Sequence, residues 1–360
     1  MTKSTHWFAR SLTNQSSFKT WLEPVIQQFR PNWQATGYPA SVIDNRLESD
    51  LVFSLVLRPA RSWPGFKAGQ HIQLQVEING TRYQRTFSLS TAPEYRKQTG
   101  LVELTIRQQT GGLVTGWLAE HLNKGDQVIL SAAAGDFTLP STPYPMLLIA
   151  GGSGITPFRS FIQQLACQKS QRDIHLIYYN QATAPLFAEE WPLMAAALPG
   201  LKVNLIDTAE KGMINRKQLS ELCPDVTDRT AWLCGPYGLI NTSRDLLLEL
   251  GVEDSDIHHE LFGPKPLDPT MKSQSGTVHF NQAGMSLDYQ GGAPTTLLEL
   301  AEHAQLNPVS GCRMGVCHQC KCRKSQGLVI NTLTGQQSDT GAEDIQLCVS
   351  IPIGEVSLEL

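Results

Sequence analysis

Near its C-terminal end the sequence reads Ser310-Gly311-Cys312-Arg313-Met314-Gly315-Val316-Cys317-His318-Gln319-Cys320, and one more cysteine follows at Cys348. The C-x4-C-x2-C…C spacing is that of a plant-type 2Fe-2S cluster. Two irons and two bridging sulfides need four thiolates, three of them from one tight loop whose backbone N–H groups also face the sulfides. Gly315 supplies the left-handed freedom such a loop requires. Buried apolar cysteines or a zinc site are the competing readings, but zinc spacings favour paired C-x2-C units, which the sequence lacks. Cys312, Cys317, Cys320 and Cys348 are the expected metal ligands, and their chemistry is one-electron transfer.

A second constellation begins with the apolar run Met146-Leu147-Leu148-Ile149-Ala150, which feeds Gly151-Gly152-Ser153-Gly154-Ile155-Thr156-Pro157. Strand, glycine turn and helix N-terminus place backbone amides where a dinucleotide pyrophosphate can sit. A further strand ends in Cys234-Gly235-Pro236, and the crevice between two such strand ends is where open α/β sheets bind ligands. Close helix packing is the alternative reason for these glycines. The third constellation is Arg85-Thr86-Phe87-Ser88, followed by Gly111-Gly112-Leu113-Val114-Thr115 at the start of an expected helix. An arginine and a second helix N-terminus neutralise a pyrophosphate, while an aromatic beside a hydroxyl suits a flavin ring and its N5.

These sites need elements to hold them. From about 40 to 140 the pattern is strand-like, clearest at His71-Ile72-Gln73-Leu74-Gln75-Val76-Glu77-Ile78, where polar and apolar residues alternate before Asn79-Gly80, a type I′ hairpin signal. A return strand is expected through Tyr83 to Ser90, with others at 51–57, 101–107 and 127–130, together an antiparallel β-barrel. From about 143 the texture changes to apolar strands (146–150, 174–179, 203–207, 232–234) alternating with helices, a doubly wound α/β domain. Gly263-Pro264-Lys265-Pro266-Leu267-Asp268-Pro269 reads as a semi-rigid linker. Beyond it a hairpin at 277–289, a helix at Thr296 to Ala304, the cysteine loop and terminal strands imply a ferredoxin-like module.

Composition agrees with a multi-domain globular chain: 360 residues, 41% hydrophobic and 17% charged, exceed what one core usually supports. The net charge of −4 and the lack of a basic stripe exclude nucleic-acid binding. No apolar run reaches membrane-spanning length, and no signal-peptide h-region is seen. Eight cysteines spread over a long chain, four of them with a metal role, fit a reducing cytoplasm. Cys167, Cys223 and Cys322 are expected to be buried apolar residues, as is Cys234, whose context alone suggests more. His71, His258 and His259 are expected to be structural or rim residues.

In the order of these constellations the chain resembles the ferredoxin-NADP reductase superfamily, specifically flavin reductases with a C-terminal plant-type ferredoxin domain, over residues 40–360. The resemblance implies an N-terminal amphipathic extension at 1–36, an FAD-binding β-barrel at 37–141, an NAD(P)-binding α/β domain at 142–262, a linker at 263–275 and a β-grasp 2Fe-2S ferredoxin domain at 276–360. It assigns Arg85, Thr86, Phe87 and Ser88 to FAD, with Phe where the family usually has Tyr, and Gly112 and Thr115, with Leu113 and Val114 between them, to its pyrophosphate. Gly152, Gly154 and Thr156 go to the nicotinamide nucleotide; Cys234, Gly235 and Pro236 go to the nicotinamide edge; Glu260 and Phe262 would close over the flavin. Ser88, Cys234, Glu260 and Phe262 are the implied catalytic set. The implied activity is NAD(P)H:acceptor oxidoreductase, in which the flavin converts a hydride into single electrons for the cluster. Tyr179-Asn180-Gln181 offers amides where NADP-specific members present basic side chains, with Arg159, Lys211 or Arg216 as possible substitutes.

The partner is signalled by the N-terminus. Phe18, Trp21, Leu22, Val25, Ile26 and Phe29 fall on one helical face, interrupted by Pro24, and residues 1–35 carry four basic and one acidic side chain. Such a stripe serves either to pack on the flavin barrel or to dock on a membrane surface or membrane-bound oxidase. With Ser62-Trp63-Pro64-Gly65-Phe66 and the cysteine loop, it is similar to bacterial reductases that serve membrane diiron fatty acyl desaturases. The rival acceptors are an aromatic-ring oxygenase, a hydroxylase or a hybrid-cluster protein. A redox-sensing adaptor without fast turnover is the alternative of another class.

Overall fold

The computed structural model describes residues 37–78, 81–109, 112–181, 185–262, 274–292, 294–315 and 318–360. The N-terminal extension, the Asn79-Gly80 turn, Gly111, Cys317 and most of the linker lie outside the described residues. What is described forms two compact units, one with most of the first two sheets below and the other with the third together with 83–85 and 235–241.

The first sheet has six strands, β1 (Tyr38–Ser49), β2 (Val52–Pro59), β3 (His71–Ile78), β4 (Thr81–Ser88), β5 (Val102–Arg107) and β6 (Gln127–Leu130), in the order β4-β3-β6-β1-β2-β5. Its pairs β1/β2, β1/β6, β2/β5 and β3/β6 are antiparallel. The alternation seen in the sequence of β3 is realised: Ile72, Leu74, Val76 and Ile78 are buried while their neighbours face outward. The sheet curls toward closure, because just beyond β4 the Ser90 N–H donates to the Glu103 carbonyl of β5 at 2.9 Å.

The second sheet joins β7 (Met146–Gly151), β8 (Ile174–Asn180), β9 (Leu201–Asp207), β10 (Thr230–Gly235) and β11 (Ile257–Leu261) in the order β11-β10-β7-β8-β9. β10, β7, β8 and β9 run parallel. β7 is buried throughout, as expected of a strand covered on both faces. The chain moves from β7 outward to β8 and β9, then returns to β10 on β7's other side. The reversal makes the β7/β10 ends the topological switch point.

A buried ion cluster joins these two sheets. The Arg159 guanidinium, on helix Thr156–Cys167, donates to Glu103 Oε1 at 2.7 Å and grips Glu190 with two bonds of 2.8 and 2.7 Å. Arg46 of β1 holds the other Glu103 oxygen at 2.9 Å. Burial works against the Arg159 charge, but the hydrogen bonds to Glu190 and the charge of Glu103 more than compensate and raise its pKa. Arg159 therefore cannot serve a nucleotide 2′-phosphate as the sequence allowed: its guanidinium is already fully engaged. Phe137, Phe158, Phe161 and Trp232 form the apolar part of the same junction, with ring centroids 5.1 to 5.9 Å apart. Cys167, expected to be buried, is exposed because it ends its helix on the solvent side; Cys223, Cys234 and Cys322 are buried.

The second unit is a mixed sheet of β12 (Gly276–Phe280), β13 (Met285–Tyr289), β14 (Lys321–Asn331), β15 (Glu343–Gln346) and β16 (Ser350–Leu358), ordered β13-β12-β16-β14-β15. β12 and β16 are parallel and the other pairs antiparallel, the β-grasp arrangement. Its helix Leu297–His303 starts at a capping box of Thr296 and Glu299, and Leu297, Leu298, Leu300 and Ala301 face the core with Val278, Phe280 and Val356. Lys324 is buried at a break in the β14/β16 register and donates to the carbonyls of Gly327, Asp339 and Gly341 at 2.6 to 2.8 Å. It fastens the 327–341 excursion to the sheet.

Removing either buried cation strands its partners. Arg159→Met is expected to destabilise the first unit, and Lys324→Met the second, by about 3 kcal/mol each. Differential scanning calorimetry of the two variants checks this: each should lower a different part of the transition.

Candidate functional site

On the flavin-type sheet the residues of interest end β4. Arg85 donates from Nη1 to the Gln84 carbonyl at 2.7 Å, and burial brings its pKa down to about 10, the mark of a cation placed where an anion would relieve it. Thr86 Oγ1 is buried and has no hydrogen-bond partner among the described residues. A buried hydroxyl without a partner is costly and fits a site completed by a polar ligand. Phe87 is half-buried and Ser88 buried. Nearby in sequence, Gly112 precedes helix Leu113–His121 and its N–H donates to the Gln109 carbonyl at 2.8 Å, while Thr115 Oγ1 accepts the Gln109 N–H at 2.9 Å. A Cβ at Gly112 would meet Gln109 Cβ at 2.7 Å and Thr115 Oγ1 at 3.0 Å, so this tight turn excludes any side chain. Val114 packs into the core and Leu113 points to solvent. Val114 can therefore serve a phosphate only through its backbone N–H.

On the nucleotide-type sheet, β7 passes into a single turn Gly152–Ile155 and then helix Thr156–Cys167. The Thr156 hydroxyl donates to the Ser153 carbonyl at 3.0 Å, and Gly154 is buried beneath the turn. Arg107, at the end of β5, comes within 3.5 Å of where a Gly152 Cβ would stand; sequence reasoning gave it no role. At the switch point Cys234 is fully buried, and burial, reinforced by the charge of Glu260, holds its thiol protonated well above the usual range. Glu260 lies on the neighbouring strand β11, with Oε2 buried and unpartnered among the described residues. Just beyond, the Phe262 N–H donates to the Gly235 carbonyl at 2.8 Å, which fixes the two segments side by side. Pro236 is exposed. Where the adenosine end would lie, Tyr179 Oη donates to Gln218 at 2.7 Å; Arg216 is exposed with Glu249 at 3.6 Å, and Lys211 is exposed.

Among the residues dismissed from the sequence, His71 is not a bystander: its Nδ1 lies 3.2 Å from Glu260 Oε1, a link from β3 to β11. No local pattern marks it, since the two residues are 189 positions apart. His258, on β11, stacks on Trp232 with centroids 4.3 Å apart, a packing role.

In the second unit Cys320 and Cys348 are buried and hydrogen-bonded to each other, which pushes the Cys320 thiol down and the Cys348 thiol up. The Met314 N–H lies 3.4 Å from Cys312 Sγ, and Gly315 N–H also faces Cys348. Gly315 needs its φ of +79°, because a Cβ there would strike Leu333 at 2.7 Å. Gln346 Nε2 fastens the Gly315 carbonyl. Three thiols with backbone amides turned to sulfur suit a cluster of iron and sulfide. Among the described residues no three of His, Cys, Asp or Glu converge on one metal ion; Cys317 lies outside them.

Three family models match the chain in order: an oxidoreductase FAD-binding domain at 45–139, an oxidoreductase NAD-binding domain at 148–245 and a 2Fe-2S iron-sulfur cluster binding domain at 280–352. The chain is 28% identical over 333 residues to the NADPH oxidoreductase of Mycobacterium tuberculosis, covering 92% of this chain and 86% of the relative. It is 25% identical over 327 residues to the glycine betaine monooxygenase reductase subunit of Pseudomonas aeruginosa, covering 82% of this chain and 87% of the relative. Its fold matches the solved phthalate dioxygenase reductase, with a TM-score of 0.65 at 22% identity over 90% of this chain and 98% of that one.

The cysteines should differ in reactivity. Iodoacetamide at pH 8 is expected to alkylate exposed Cys167 at least ~100 times faster than Cys223, pushed up to about 12 by burial, Cys322, pushed up to about 11 by burial, or Cys234. Peptide mass spectrometry of the native protein reads this directly.

Proposed function

By its FAD-binding, NAD-binding and 2Fe-2S domains the chain belongs to the flavin reductases of the ferredoxin-NADP reductase superfamily that carry a C-terminal 2Fe-2S ferredoxin domain, and we propose that it delivers electrons to a membrane fatty acyl desaturase. It is an NAD(P)H oxidoreductase of the electron-transfer kind, with FAD and a 2Fe-2S cluster. The observation that carries this reading is the succession of the three domains in one chain. When bound, the flavin takes up a hydride and gives up electrons singly, which matches the one-electron capacity of the cluster.

The protein's own residues bind, orient and exclude water. Arg85 would neutralise the FAD pyrophosphate together with the amides around Gly112 and Thr115. Thr86 would supply its buried hydroxyl, Phe87 a ring face and Ser88 a hydrogen bond near the reacting edge. Gly152, Gly154 and Thr156 would leave room and donors for the nucleotide phosphates. Cys234, Gly235 and Pro236 would bound the nicotinamide, with Glu260 and Phe262 closing the site from β11. The neutral Cys234 thiol serves as a small, uncharged wall there, and the positive nicotinamide of the product meets no thiolate. Cys312, Cys317, Cys320 and Cys348 would hold the cluster.

The acyl partner is supported by the apolar stripe and positive balance of residues 1–36, features of a segment that docks at a membrane surface. The protein would then be cytoplasmic and peripheral at the membrane; none of its described helices is long and apolar enough to cross one. A soluble oxygenase is the second reading, favoured by the likeness to a monooxygenase reductase subunit. To test the first, membranes containing a diiron desaturase are given a saturated acyl-CoA, NADH or NADPH, and either this protein or its Cys348→Ser variant. Unsaturated product that falls more than tenfold with the variant is the expected result. Rapid reduction of cytochrome c without unsaturated product rejects the desaturase and turns the search to soluble oxygenases.

A further inference from the structure

Electron transfer of this kind also moves protons. One NAD(P)H and two one-electron acceptors yield NAD(P)⁺, two reduced acceptors and one proton, so a proton must leave the closed site at every turnover. Cys234 cannot accept it, because its buried thiol is already protonated. Glu260 can, through the buried Oε2 that has no partner among the described residues, and its other oxygen touches His71.

The setting of His71 is specific. Its N–H donates to the Ala134 carbonyl at 3.0 Å and its carbonyl accepts the Ala134 N–H at 2.9 Å, which fixes the backbone from both sides. Gly135 follows at a φ of +102°, and a Cβ there would lie 2.8 Å from His71 Cε1 and 2.9 Å from Nδ1. Only glycine leaves space for the ring against Glu260. The side chains of His71 and Glu260 are 23% and 19% exposed, so this pair reaches water whereas Cys234 does not. The other titratable groups on the elements around the ring are Glu77 at the far end of β3, Asp136 beside Gly135, and His258 and His259 on β11; His258 is turned to Trp232.

We propose that His71 is the proton outlet of this reductase, taking from Glu260 the proton released at each turnover and passing it to solvent. The inference rests on the electron-transfer reading above. A proton on the Glu260 carboxyl makes its O–H the donor and Nδ1 the acceptor; the imidazole gains that proton at Nδ1 and yields the one on Nε2 to water. One O–H bond and one N–H bond break while one N–H bond and one O–H bond on water form, which regenerates the carboxylate and leaves a neutral ring protonated at Nδ1; exchange of both ring protons with solvent returns the Nε2–H ring before the next turnover. Histidine suits the step because one ring nitrogen can take a proton while the other gives one up.

The test uses the FAD- and cluster-loaded protein, with cytochrome c as one-electron acceptor. His71→Gln keeps a hydrogen bond to Glu260 but cannot relay. It is expected to retain FAD content and nucleotide KM, to lose about tenfold in kcat near pH 7, and to show a pH profile different from that of the wild type. His71→Ala should fall similarly and recover with added imidazole, which His71→Gln should not. As a readout independent of turnover, the His71 ring ¹⁵N resonances of the oxidised protein should move in Glu260→Gln. Wild-type kcat and pH profile in His71→Gln, no rescue of His71→Ala, or unmoved ring resonances overturn the proton outlet. A wild-type protein that reduces cytochrome c with neither nucleotide overturns the electron-transfer reading and this inference with it.

Discussion

A guanidinium taken out of water must be answered by carboxylates, and where those carboxylates come from decides what it holds together. Arg159 sits one turn after the glycine turn of the nucleotide-type sheet, yet its partner Glu103 belongs to the flavin-type sheet and Glu190 to a helix after β8. Neither carboxylate can be released without leaving a charge uncompensated in a low-dielectric interior. The direction of the bidentate grip also matters, because a planar fork fixes angle as well as distance. The aromatic cluster around Phe137 and Trp232 contributes area to the junction, but flat rings tolerate sliding. The ion cluster is what sets register, and through helix Thr156–Cys167 it sets where the turn Gly152–Ile155 lies relative to the ends of β4 and β5.

The same logic explains the chemical character of the site. Burial holds Cys234 as a thiol and works against the charge of Arg85, while Glu260 has one oxygen on His71. Such a site has little intrinsic reactivity. It is a mould whose unsatisfied positions, Thr86 Oγ1 and Glu260 Oε2, are polar and point to ligands that bring their own chemistry.

Much of this was legible in the sequence, for identifiable reasons. The alternation of β3, the apolar run of β7 and the capping pair Thr296 and Glu299 are local patterns, and local patterns survive as strands and helices when burial agrees with them. The cysteine spacing is likewise local for three of its four members. What could not be read was pairing across long separations between residues of ordinary type. Arg159 looked available for a phosphate because nothing near it in sequence is acidic. His71 looked like a rim residue because Glu260 comes so much later. Cys167 was misjudged for a different reason: free cysteines are usually buried, but a position at the end of a helix is set by the rotation of its final turn and not by residue type.

In the β-grasp unit the last strand, β16, lies in the middle of the sheet, hydrogen-bonded to β12 on one side and β14 on the other. The core that buries Val356 and Leu358 against Phe280 is therefore closed by a segment synthesised after the other strands of this sheet. The sheets of the first unit are complete once β11 has been made. On the ribosome the two units are consequently acquired in sequence, the flavin and nucleotide sheets early and the cysteine loop's scaffold only after residues 350–358 have emerged. The β12/β16 pairing joins positions nearly eighty residues apart, a long closure that slows assembly. Iron and sulfide are thus accepted by a chain whose flavin and nucleotide sheets have already been made, which places cluster insertion after the synthesis of both.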